Sequence, residues 1–204
     1  MSTLTHLSIA AHASTSDATS VISFCSLRFP ELSVLVIEPW EETHTAVAFT
    51  QFLAKHISIY HLELGCCKRG CCRIKLDDAS ITEDFLPELR TFKGHVENIK
   101  ALTSERCQSL KKVKILTAVW VDLDGIYFSS DDISDMFDWP ITDGVLSVLE
   151  EFVFLTNNAF DDELELFLDW MEALANTSPL LRVWRGSLPF GMNLVSFFPR
   201  KELF

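Results

Sequence analysis

A short phrase recurs along this chain, and it limits the fold more than any other feature does. Its fullest copy is Leu149-Glu150-Glu151-Phe152-Val153-Phe154-Leu155-Thr156-Asn157. An apolar residue is followed by two spacers, a second apolar residue, one spacer and a third, with asparagine three positions later. Leu4 to Ile9, Leu32 to Ile37, Ile59 to Leu64 and Leu110 to Ile115 repeat its core, and Leu89 to Phe92 and Leu181 to Trp184 are weaker copies. Alternation over so short a run is the mark of a strand with one buried face. A chain that repeats such a strand has to cover the same kind of face each time.

The units begin at positions 4, 32, 59, 89, 110, 149 and 181, at steps of 28, 27, 30, 21, 39 and 32 residues. Steps in this range, carrying this phrase, point to an irregular leucine-rich-repeat solenoid. Proline placement supports repetition independently. Pro30-Glu31-Leu32 is repeated as Pro87-Glu88-Leu89, and Pro179-Leu180-Leu181 stands at the equivalent place before a later unit. Proline biases the residue before it to extended geometry and cannot continue a helix, so it suits the entry to a strand.

Amphipathic segments fill the intervals. Helices are predicted from Asp17, a suitable N-cap, to about Leu27, and from Thr45 to Lys55 with Val47, Ala48, Phe49, Phe52 and Leu53 buried. A third is predicted from Val96 to Cys107. The fourth, Asp161 to Ala175, has Leu164, Phe167, Leu168, Met171 and Leu174 on its apolar face. Strand, helix and strand in succession give a parallel sheet covered by helices. The predicted fold is therefore α/β, an irregular leucine-rich-repeat solenoid of parallel strands with helices on the outer face. It forms a single domain over 1–204, with irregular insertions near 65–85 and 117–147. The tail past Trp184, with Phe197-Phe198-Pro199, is expected to cap the C-terminal end.

Composition excludes some functions. Apolar residues make up 48% of the chain and charged residues 23%, a balance that supports a core and argues against disorder. With 29 acidic residues against 17 basic ones the net charge is −12, which disfavours nucleic acid and anionic membrane surfaces as partners. No apolar run approaches the roughly 20 residues that span a bilayer. The start, Met1-Ser2-Thr3-Leu4, lacks the features of a signal peptide, so reduced cysteines in the cytosol or nucleus are expected.

Candidate chemistry is sparse. Cys66, Cys67, Cys71 and Cys72 lie within seven residues, but zinc sites usually separate their cysteine pairs so that the chain can wrap the metal. A structural or incidental role is expected, with no metal or cofactor. Trp120-Val121-Asp122-Leu123-Asp124-Gly125 resembles the nucleophile motif of haloacid-dehalogenase-type phosphatases. That resemblance implies a phosphatase with Asp122 as nucleophile and Asp124 as general acid and base. No lysine lies between Lys114 and Lys201 to neutralise a phosphate, and none of the six scattered histidines has a neighbouring cysteine or serine arrangement that suggests a catalytic dyad.

The strand faces offer a stronger candidate. Residues between the inward apolar positions must point the other way. This places His6 and Ser8, Val34 and Val36, His61 and Glu63, Lys112 and Lys114, Glu151 and Val153, and Val183 and Arg185 in parallel rows. The predicted binding residues are His61, Glu63, Lys112, Lys114, Glu151 and Arg185, on a face of mixed charge suited to a protein partner. The units, with Leu86-Pro87-Glu88-Leu89 opening a strand and Phe92-Lys93-Gly94-His95 following, resemble the leucine-rich region of fungal F-box-like proteins. That resemblance implies a non-enzymatic module that recruits substrates to a ubiquitin ligase. No F-box-like segment precedes Leu4.

Overall fold

The computed structural model describes residues 3–10, 23–38, 46–65, 74–103, 107, 109–120, 145–156, 164–187 and 193–197. They form one eight-stranded sheet whose strands follow in sequence order. The strands are β1 (His6–Ile9), β2 (Val34–Ile37), β3 (His61–Leu64), β4 (Thr91–His95), β5 (Ile115–Trp120), β6 (Glu151–Thr156), β7 (Val183–Ser187) and β8 (Asn193–Phe197). β1 to β7 are all parallel, each hydrogen-bonded to the next. β8 turns back antiparallel against β7. The sequence pattern anticipates the parallel strands but not the reversal, because β8 lacks the repeated phrase.

Register is constant across the sheet. Leu7, Leu35, Leu62, Phe92, Leu116, Phe152 and Trp184 stand side by side on successive strands. From Leu35 onward they are almost wholly buried. A second inward row contains Ile37, Leu64, Ala118 and Phe154, also buried. A third consists of Leu32, Ile59, Leu89, Val113, Leu149 and Leu181, just before the strands. Each of these last residues donates its N–H to the carbonyl three residues earlier, closing a tight turn at Phe29, His56, Leu86, Leu110, Leu146 and Ser178 respectively.

One backbone joint recurs at every step. The carbonyl of Thr5 accepts from both Ser33 and Val34, and the carbonyls of Ser33, Tyr60, Arg90, Lys114 and Glu150 take two successive N–H groups of the next unit in the same way. Carbonyl oxygens have two lone pairs, so the arrangement satisfies two donors per acceptor at the entry to each strand.

This register corrects one predicted unit. The strand predicted to begin at Leu110 begins five residues later. Ser109–Lys112 forms a 3-10 turn and the strand starts at Ile115. Leu110-x-x-Val113-x-Ile115 fits the phrase, but so does Val113-x-x-Leu116-x-Ala118, and burial follows the second. Val113, Leu116 and Ala118 are fully buried, whereas Ile115 is 38% exposed. Leu110 occupies the turn position that Leu86 and Leu146 take in other units. The predicted insertion near 117–147 consequently begins later, since 117–120 belongs to β5.

The helices described over their full length are α1 (Ala46–Ala54), α2 (Val96–Leu102) and α3 (Leu164–Thr177), and residues 23–25, within the helix predicted to end near Leu27, are helical as well. From α1, Phe49, Phe52 and Leu53 enter the core as expected, but Val47 is 50% exposed and Thr50 is buried in its stead. Thr50 fits because its hydroxyl donates to the Ala46 carbonyl at 2.8 Å and accepts from the Asp77 N–H at 2.9 Å. α2 ends at Leu102, short of the predicted Cys107, with Thr103 as C-cap. In α3, Leu174 is buried as predicted, together with Trp170, whose ring lies 5.3 Å from that of Phe152. The predicted N-cap Asp17 lies outside the described residues.

The described part of the 65–85 interval, 74–85, contributes to the core. Ile74, Leu76, Ile81 and Phe85 are buried in the same core around a 3-10 turn at Asp78–Ser80. Asn98 of α2 ties this segment down, accepting from the Leu76 N–H at 2.9 Å and donating to the Ile74 carbonyl at 2.7 Å.

Candidate interaction face

Opposite the core, the outward rows are continuous because the register never slips. One row runs His6, Val34, His61, Thr91, Ile115, Glu151 and Val183, and the next Ser8, Val36, Glu63, Lys93, Thr117, Val153 and Arg185. Strands about 4.8 Å apart make seven parallel strands a surface roughly 29 Å across. Aliphatic and hydroxyl side chains alternate on it with charges that are mostly paired.

Glu63 anchors the best-defined cluster. His61 Nε2 lies 3.0 Å from one carboxylate oxygen, and Lys93 Nζ lies 3.1 Å from the other. Partial burial acts to raise the Glu63 carboxyl, but the hydrogen bonds and charges of Lys93 and His61 outweigh it and hold the group below its ordinary range. A charged carboxylate only accepts, so the His61 Nε2 carries the proton in this contact. Further along, Arg185 reaches Glu151 at 3.5 Å. Of the predicted residues, the structure therefore brings together His61 with Glu63 and Glu151 with Arg185.

Lys112 and Lys114 are not on this face. The displaced fifth unit puts Lys112 on the 3-10 turn, where its Nζ is 2.8 Å from the Pro87 carbonyl and 3.3 Å from Glu88. Lys114 stands one residue before β5 and pairs with Glu150 at 2.9 Å, holding that exposed carboxylate below its usual range. The outward residues of the unit are Ile115 and Thr117. Sequence reasoning missed Lys93. The phrase Leu89-x-x-Phe92 already implied it, since any residue one past the second apolar position must face outward.

Among the described residues no group of His, Cys, Asp and Glu is arranged to hold a metal ion. Cys66, Cys67, Cys71 and Cys72 lie outside them, as do Asp122, Asp124 and Asn157. Cys25 and Cys107 are buried free thiols, and burial pushes Cys25 up to about 11, so it is protonated and unreactive at neutral pH. No described helix is long and apolar enough to cross a membrane. A cavity of about 360 Å³ lies apart from the strand face, lined by Lys75, Leu76, Asp78, Glu97, Asn98 and Lys100.

The face can make non-covalent contacts over a wide, shallow area. Its one tight polar cluster uses both oxygens of Glu63 internally. Comparison of the chain with protein-family models, with curated proteins and with solved structures finds no match in any of the three.

Proposed function

We propose that this chain is a non-enzymatic protein-interaction module, a leucine-rich-repeat-type solenoid that binds a protein partner on its outward strand face. Substrate recognition for a ubiquitin ligase is the role that the resemblance to fungal F-box-like proteins adds. The observation that carries the proposal is the unbroken register of the two outward rows, which gives a continuous surface of aliphatic side chains and internally paired charges. Such a mixture is usual for protein interfaces. The strand order supports the same reading. It runs from β1 to β7 without reversal, so among the described strands there is no switch point of the kind at which open α/β sheets place a ligand crevice.

The test is affinity capture with the intact chain and with an Ile115→Arg, Val153→Arg variant, followed by direct binding of each captured protein in purified form. Two arginines at the centre of the face should weaken a true partner by at least about tenfold, equivalent to about 1.4 kcal/mol. The reading fails if every purified interactor binds both chains equally. For the ligase role, a partner bound here should turn over more slowly in cells carrying only the variant.

A further inference from the structure

The outward rows of β3 to β7 are balanced in charge, but taken with the strand-entry residues along their edge they differ from the rest of the chain. The outward rows of β3 to β7 and the residues immediately before those strands contain Arg90, Lys93, Lys114, Arg182 and Arg185 against Glu63, Glu150 and Glu151. Five cations and three carboxylates leave an excess of two positive charges here. The chain as a whole is at −12, so everything else together stands at −14.

The cations are exposed enough to be shared. Lys114 and Arg185 keep more than half of their side-chain surface in solvent, and Lys93 keeps 41%. Their existing partners sit at 2.9 to 3.5 Å in solvent-screened pairs. Pairs of that kind are each worth about 0 to 1 kcal/mol, so an incoming carboxylate can join them at little cost. Between the charges lie Ile115, 38% exposed, and the half-buried Val153 and Val183.

Resting on the interaction-module reading, we infer that the partner presents an extended acidic segment with aliphatic side chains, laid across β4 to β7. Arg90 and Arg182 occupy the same position three strands apart, a span of about 14 Å that four or five extended residues cover. Carboxylates of the segment meet the cations, and its alternate side chains pack on Ile115 and Val153. The acidic remainder of the chain opposes a long polyanion, whose charge extends well beyond the patch. A short segment feels the patch most strongly, because charges more than about 8 Å away are screened at physiological salt.

The experiment is fluorescence anisotropy with the full chain and three short labelled peptides, alternating leucine with glutamate, with glutamine or with lysine. The glutamate peptide should bind about tenfold tighter than the glutamine peptide, with an affinity that falls as salt rises. A Lys114→Gln, Arg182→Gln, Arg185→Gln variant should lose that preference at an unchanged melting temperature. A Lys55→Gln, Lys111→Gln variant, altered outside the patch, should keep it. Equal or tighter binding of the lysine peptide, or an unchanged preference in the triple variant, overturns the acidic-segment inference. If the triple variant retains full affinity for a captured partner that Ile115→Arg, Val153→Arg releases, the interaction module stands and the acidic partner does not.

Discussion

His56 is held in a single tautomer by two hydrogen bonds. Its Nε2 accepts from the Phe29 N–H at 2.9 Å, and its Nδ1–H donates to the Phe52 carbonyl at 2.7 Å. The ring is buried against Phe29 and Phe52, where it links the turn before β2 to the end of α1. Burial lowers its pKa, the Phe52 bond opposes that, and the nearby charges of Arg28 and Lys55 lower it further, leaving a net depression. The native state thus binds a proton less readily than the unfolded chain. His56 costs nothing well above its unfolded value near 6.5 and withdraws stability as pH falls through that value toward the native one. Urea midpoints measured at pH 7.5 and 5.5 should fall on acidification, and His56→Gln should lose part of that fall. Equal midpoints in the parent chain at the two pH values would refute the assignment.

Asn98 makes a second prediction at this scale. Asn98→Ala leaves the Leu76 N–H and the Ile74 carbonyl buried without their partners, and a loss of about 3 kcal/mol is expected in chemical denaturation. No sequence pattern exposes this residue, because an asparagine on a helix reads as solvent-facing until the 74–76 segment is seen to lie against it. His61, Glu63, Glu151 and Arg185 were legible for the opposite reason, since strand alternation alone decides their side.

At the scale of elements, the two inward positions of β4 and of β7 share one space. Where the first is aromatic, the second can be glycine, as in Phe92 with Gly94 and Trp184 with Gly186. A Cβ on Gly94 would come within 2.7 Å of the Phe92 ring, and one on Gly186 within 2.6 Å of the Trp184 ring. Next door, Leu116 and Ala118 fill the same space with a smaller first residue. Gly94→Ala alone should destabilise by about 1 to 2 kcal/mol through overpacking. Phe92→Leu combined with Gly94→Ala reproduces the β5 pair and should recover part of that loss in thermal melts. An additive double variant would show that the two positions do not compensate.

Element boundaries were less legible than element types. The phrase could be laid on Leu110 or on Val113, and only the neighbouring strand decides between them, because Leu116 must stand beside Phe92. α2 stops at Leu102, where Thr103 caps it and the polar run Thr103-Ser104-Glu105-Arg106 follows, short of the predicted Cys107. β8 was not legible as a strand because it lacks the repeated phrase.

Taken as a whole, the sheet is held together by neighbour-to-neighbour contacts, and its inward residues are better covered in the middle than at β1. Leu7 and Ile9 remain half-buried, while Leu35, Leu62 and Phe92 in the same rows are fully buried. Amide hydrogen exchange under native conditions should therefore be fastest in β1 and slowest in β3 to β6. Uniform protection across the strands would mean that the sheet opens only as one unit. At this scale the sequence read well, since a repeated strand phrase leaves few arrangements other than adjacent parallel strands. It could not weigh the face, because the balance of Arg90, Lys93 and Lys114 against Glu63 and Glu150 emerges only once register has placed them together.

The doubly accepting carbonyls at the strand entries have a bearing on how such a chain can change in length. The joint is made entirely of main-chain atoms, so it specifies no side chain, and it recurs although the matched residues Leu7, Leu35, Leu62, Phe92, Leu116, Phe152 and Trp184 fall 28, 27, 30, 24, 36 and 32 positions apart. The same joint thus accommodates intervals from 24 to 36 residues between matched positions. The joint therefore sets the position of each strand against its neighbour while leaving open how many residues connect the two.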